Sequence, residues 1–183
     1  MNYRFNVLDS FRGLCAICVV LYHLNLPGSF SELNFFNSSS LFVSFFFVLS
    51  GFVLAHSYIN KDITFKFFFW GRVFRIFPLH LSMLILMLIF QCAKLIVEYN
   101  GFHFSEGAFS GDNKISEIIP NVLLLQSWLP FFSSHSFNAP SWSISVEFYI
   151  YILFFITLML FLTTPKRAGL WCIIGLLSFL GLL

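Results

Sequence analysis

The stretch LDSFRGLCAICVVLYHLNL, residues 8–26, decides how the rest of the chain is read. Arg12 and His23 stand eleven residues apart in an otherwise apolar run. Eleven helical steps are nearly three turns, so both side chains share one face, about 16 Å apart along the axis. An ionisable group inside a membrane helix is costly and usually faces a bundle interior, a cavity or a pathway. Two on one stripe suggest a site.

The composition points the same way: 58% of the 183 residues are hydrophobic, 21% aromatic and only 10% charged, with a mean hydropathy of +0.87. Such a balance excludes an ordinary soluble domain. Apolar runs at 41–58, 76–97 and 142–162 are each long enough to cross a hydrocarbon layer about 30 Å thick. With the first stretch they make four spans. A fifth begins after Lys166 and Arg167 and ends early at Leu183, so a truncated chain is expected. The expected fold is all-α, a polytopic membrane helical bundle of four complete spans and a partial fifth.

The first stretch has charged residues within it and no small-residue cleavage motif after it, so it reads as a retained span, not an export signal. Cys15, Cys18, Cys92 and Cys172 all fall in spans, where disulfides are not expected. No further ligands converge on the Cys15/Cys18 pair, and His56, His80, His103 and His135 show no metal-site spacing; no metal is expected. The Ser50-Gly51 pair reads as a packing feature that lets helices approach closely.

Orientation follows from basic residues between spans. With the amino terminus in the cytoplasm, that side holds Arg4, Arg12, Lys61, Lys66, Arg72, Arg75, Lys166 and Arg167, eight of the ten Lys and Arg. The segment 98–141 then lies outside. Within it, the apolar run 118–132, with Pro120 and Pro130, is short for a span and reads as a re-entrant or interfacial element.

The stretch KDITFKFFFWGRVFRIFP, residues 61–78, is basic and thick with aromatic rings. One reading is an anchor in the headgroup layer, rings inward and cations on anionic lipid, with His56 and His80 flanking it at the interface. The other concerns Arg72 and Arg75, three apart on one helical face, whose guanidinium forks can hold phosphate oxygens.

Four blocks now carry a resemblance: LDSFRG at 8–13 followed by His23, FFFVLSGF at 45–52, RVFRIFP at 72–78, and SWSISVE at 141–147 with Phe148 and Tyr149. In order and spacing they resemble the membrane acyltransferase-3 family. The resemblance covers the amino-terminal part of a domain with about ten spans, each of about 20 residues, so residues 1–183 are expected to be that part.

The resemblance implies transfer of an acyl group, most often acetyl, from a cytoplasmic acyl-coenzyme A to a hydroxyl of a cell-envelope polysaccharide or glycolipid. It implies an O-acyltransferase of the inner (plasma) membrane, with membrane lipid and a glycan acceptor as partners and no nucleic acid. Missing carboxyl-terminal spans or a partner chain would complete it. His23 is the expected base, since an imidazole of ordinary pKa near ~6.5 is mostly neutral and can take a hydroxyl proton; it can equally carry the acyl group covalently. Arg12, permanently charged, would support the donor or a developing oxyanion, or snorkel beside Asp9. Glu147 would orient His23 or hydrogen-bond the acceptor, or tie structurally to an arginine. Arg72 and Arg75 would bind the coenzyme A phosphates. Trp142, Ser143 and Ser145 would line the acceptor side.

Two other readings share these residues. A proton-coupled transporter can use Arg12, His23 and Glu147 as an intramembrane pathway, and a fragment of a split gene has no activity alone.

Overall fold

The computed structural model describes residues 6–24, 40–58 and 63–163. The expected fifth span, and Arg4, Lys61, Lys166, Arg167 and Cys172, lie outside them. Among the described residues the regular structure is all helical, joined by turns and loops. There are five α-helices, α1 (Asn6–Leu24), α2 (Ser40–Tyr58), α3 (Phe65–Tyr99), α4 (Ile118–Val122) and α5 (Ser141–Thr163), with two short 3₁₀ turns before α4. They form two compact units, one up to Asp62 and one from Ile63 onward.

In the first unit α1 packs on α2, with the Phe11 ring edge-on to Phe45 at 5.0 Å and Cys15, Leu49 and Leu54 buried. Cys15 and Cys18 are free thiols. Ser50 is buried, but a methyl group built at Gly51 meets no atom within 4 Å. Close backbone approach is therefore not what the glycine supplies among these residues.

Among the described residues, three helices are long and apolar enough to cross a membrane: Leu41–Tyr58, Phe65–Tyr99 and Ser141–Leu160. In the fourth expected span, α1, the apolar stretch among the described residues is Ser10–Leu21, about 18 Å of helix.

The second unit differs from expectation at α3. The basic aromatic stretch and the span after it are one 35-residue helix running through Pro78, about 52 Å long. Thr64 starts it, its hydroxyl accepting from the Phe67 amide at 3.4 Å, a weak N-cap. Pro78 removes one ladder hydrogen bond, a loss that apolar helices tolerate where neighbours cover the backbone. Asn100 closes the helix, its side-chain amide donating to the Ile96 carbonyl at 2.8 Å. Gly101 follows at φ +93°, the left-handed turn that glycine adopts without a Cβ clash.

Helix α5 runs antiparallel to the first half of α3. Phe65 and Phe68 lie on Phe155, with centroids 5.4 and 4.9 Å apart. Further up α3, Phe77 meets Phe148 lower in α5, edge-on at 5.3 Å. Phe68, Phe148, Tyr151, Phe155 and Leu158 are buried here. The far half of α3 extends past the start of α5, and the loop after Gly101 folds back along it. Glu98 accepts from the Ala108 amide at 3.0 Å, and Gln91 accepts from the Phe109 amide at 3.2 Å.

The run 118–132 is not one helix. After the five residues of α4 the chain turns, with Leu124 in the left-handed region at φ 57°.

Candidate functional site

Arg12 and His23 both lie in α1, which carries the two positions on one face by its pitch. Arg12 is half-buried; the His23 and Asp9 side chains lie outside the described part of the structure. Arg72, Arg75 and Glu147 belong to the second unit.

Within that unit Arg72 and Glu147 meet at one residue, Tyr151. The Arg72 guanidinium carbon is 5.4 Å from the centre of the Tyr151 ring and 5.6 Å from that of Phe68. A cation over aromatic faces in this range gains about 0.5–2 kcal/mol, more as water is excluded. The Tyr151 hydroxyl donates to the Glu147 carboxylate. One buried tyrosine thus faces a cation with its ring and an anion with its hydroxyl.

This arrangement changes two expectations. Arg72 was expected in the headgroup layer and Glu147 in the opposite half of the membrane. The α3/α5 register instead puts Arg72 level with the middle of α5, where the rings of Phe68 and Tyr151 flank the charge. The two arginines also separate: Arg72 is half-buried, whereas Arg75 is exposed.

The serines of the SWSISVE block act on backbone. The Ser145 hydroxyl donates to the Leu124 carbonyl at 2.6 Å, and Ser143 donates to the Pro140 carbonyl at 3.0 Å. Ser141 receives the side-chain amide of Gln126 at 3.2 Å. Trp128 donates to the Ser145 carbonyl at 3.2 Å, and Ser127 to that of Trp142 at 3.2 Å. The segment between α4 and α5 is thereby laced to the start of α5.

His80, expected beside the basic loop, is buried within the fold, 2% exposed, with Nε2 2.8 Å from the Asn121 carbonyl oxygen. Asn121 in turn donates its side-chain amide to the Glu117 carbonyl at 2.8 Å and to the Ser136 hydroxyl at 2.6 Å. Glu117, also buried, accepts from the Ser133 amide at 3.1 Å. The one local signal for this was four-residue spacing: His80 and Leu84 are both buried on α3, as neighbours on one helical stripe are. Of the other histidines, His56 is exposed and stacked on Phe52. Among the described residues, no three His, Cys, Asp or Glu side chains gather as metal ligands would.

A family model described as an acyltransferase domain matches residues 5–183. The chain is 35% identical over 182 residues to "Acyltransferase MdmB" of Streptomyces mycarofaciens, covering 94% of this chain and 44% of that protein. It is 41% identical over 92 residues to "Protein 2 in picA locus" of Rhizobium radiobacter, covering 46% of this chain and 44% of that one. The chain thus spans less than half the length of these relatives. No solved structure matches it.

Proposed function

Because the chain belongs to the membrane acyltransferase-3 family, we propose that it forms part of an O-acyltransferase. The donor in this reading is cytoplasmic acyl-coenzyme A, with acetyl as the group most often carried. The acceptor is a hydroxyl of a cell-envelope polysaccharide or glycolipid. The enzyme sits in the inner (plasma) membrane with its amino terminus in the cytoplasm, consistent with the three apolar helices. The observation that carries the reading is that the RVFRIFP block, residues 72–78 in α3, and the SWSISVE block, residues 141–147 in α5, are brought together at one cluster, Arg72, Tyr151 and Glu147.

The roles follow from charge type. Arg72, with Arg75 three residues on, supplies guanidinium forks for the phosphates of coenzyme A. His23 takes the hydroxyl proton as the alcohol oxygen attacks the thioester carbonyl, contributing something like 10²- to 10⁴-fold. Arg12 stabilises the oxyanion or the donor. Glu147 hydrogen-bonds the acceptor. The new ester bond forms, the thioester C–S bond breaks, and the thiolate recovers the proton from the imidazolium.

The test is transfer of radiolabel from acetyl-coenzyme A to a de-esterified envelope glycan by the complete protein in membranes. His23→Ala is expected to abolish transfer while the protein remains inserted and folded. Unchanged turnover in that variant removes His23 from the mechanism.

A further inference from the structure

We propose that the segment 117–131 has lipid, not water, as its solvent, and touches the acyl chains of the bilayer through an outward apolar face built on Ile119, Leu123 and Phe131.

The polarity of this segment is the reverse of a water-facing loop. Of residues 117–131, the exposed ones are Ile119, Val122, Leu123, Leu129, Pro130 and Phe131, all apolar, with Ile119 at 70% and Phe131 at 71%. Ile119, Val122 and Leu123 are spaced as neighbours on one side of a helical turn. The polar side chains point the other way: Glu117, Asn121 and Gln126 are buried, and Ser127 is half-buried. Each buried one is tied inward, Glu117 accepting from the Ser133 amide, Asn121 donating to Ser136 and Gln126 donating to Ser141. A single exposed apolar residue is ordinary, whereas polar groups buried beneath an apolar exterior are not. Polar inside and apolar outside is the arrangement that apolar surroundings select.

The backbone obeys the same rule. In hydrocarbon no water satisfies a carbonyl, so irregular chain is tolerated there only where protein covers its polar groups. Helix α4 ends after five residues, and the carbonyls at and beyond its end meet side chains of the two long helices. His80 of α3 reaches the Asn121 carbonyl at 2.8 Å. From α5, Tyr149 donates to the Leu123 carbonyl at 3.0 Å and Ser145 to that of Leu124 at 2.6 Å.

These contacts set the depth. Ser145 and Tyr149 are four and eight residues into α5 from Ser141, so the segment follows that helix for about 6 to 12 Å of its length. Around His80, α3 has no Lys, Arg, Asp or Glu from 76 to 93 and exposes Leu79, Ile85 and Leu86. The segment therefore lies against the apolar bands of two helices that are long enough to span.

Lipid suits the outward face better than a further helix. Helices packed in membranes meet through small residues and polar side chains, and the six exposed residues include no Gly, Ala, Ser or Thr. Lys114 and Ser116, both exposed, stand at the edge of the face, where a cation can reach the headgroups.

The experiment is spin-label resonance on the complete protein in vesicles of phosphatidylethanolamine and phosphatidylglycerol. Native cysteines are replaced by alanine, and the label is placed through Ile119→Cys, Leu123→Cys, Phe131→Cys or Lys114→Cys in turn. All four positions are exposed, so the fold is expected to survive, which an unchanged unfolding midpoint checks. Power saturation compares collisions with oxygen, which concentrates in hydrocarbon, against collisions with a nickel chelate confined to water. At 119, 123 and 131 oxygen collisions are expected to exceed nickel collisions several-fold, and at 114 the ratio is expected to reverse. Nickel collisions in excess at 119, 123 and 131 would make the segment a water-facing loop. Few collisions with either would place another part of the protein, or a second chain, over the face. Either result overturns the proposal.

Discussion

Tyr151 donates its hydroxyl proton to the carboxylate of Glu147 one helical turn earlier on α5. Its ring meanwhile faces the Arg72 guanidinium, so hydroxyl and ring can be removed separately. Tyr151→Phe is expected to lower the rate of acyl transfer while leaving donor affinity intact. Tyr151→Leu, which also removes the ring, is expected to weaken donor affinity as well. A hydrogen bond to a charged group contributes about 1.5–3 kcal/mol, which sets the scale of the first effect. Steady-state kinetics at varied acyl-coenzyme A separates the two; identical profiles would mean that the hydroxyl has no part of its own.

Arg72 and Arg75 are expected to act together on the donor. In the double variant Arg72→Ala, Arg75→Ala, coenzyme A affinity should fall at least tenfold with membrane insertion unchanged. Arg72→Lys keeps the charge but loses the planar fork and its stacking on two rings, and should recover only part of that loss. Isothermal titration with coenzyme A in detergent measures both. Equal affinity throughout would return the stretch to a lipid-anchoring role.

Phe148 is 5% exposed and touches Phe69 and Phe77 across the helix pair. Phe148→Ala should destabilise by about 3–5 kcal/mol, the usual cost of deleting a packed ring. Phe67, 71% exposed on the same unit, should change stability little when replaced by Ala. Thermal unfolding in detergent compares them; similar midpoints for the two variants would contradict the packing described.

Ser145→Ala withdraws a buried donor from the Leu124 carbonyl. It should cost about 1–3 kcal/mol, whereas Ser143→Ala, at a helix start and half-exposed, should cost less. Hydrogen exchange should show faster exchange in residues 118–132 for the first variant only. Unaltered exchange there would mean that Ser145 does not hold the segment.

The sequence made α2 and α5 plain, because a long unbroken apolar run has few alternatives to a helix. It also marked Arg72 and Glu147 as residues to explain. It did not reveal that α3 is continuous: Pro78 and the density of charge before it read as a boundary, yet both sit inside one helix. Nor did it reveal that Arg72 and Glu147 share a tyrosine, since that depends on the register between two helices far apart in the chain. The burial of His80 was hidden for the same reason. Its partner is a backbone carbonyl 41 residues away, and no local pattern announces such a contact. The run 118–132 looked like a single apolar element, but Asn121 and Gln126 within it are its most buried polar anchors.

Gln91 and Glu98 grip the returning loop by the main-chain amides of Phe109 and Ala108, not by their side chains. Any residue but proline offers that same N–H. The chemistry of position 108 is therefore loosely held, whereas an insertion or deletion between Gly101 and Ala108 would slide the amides out of step with their clasps.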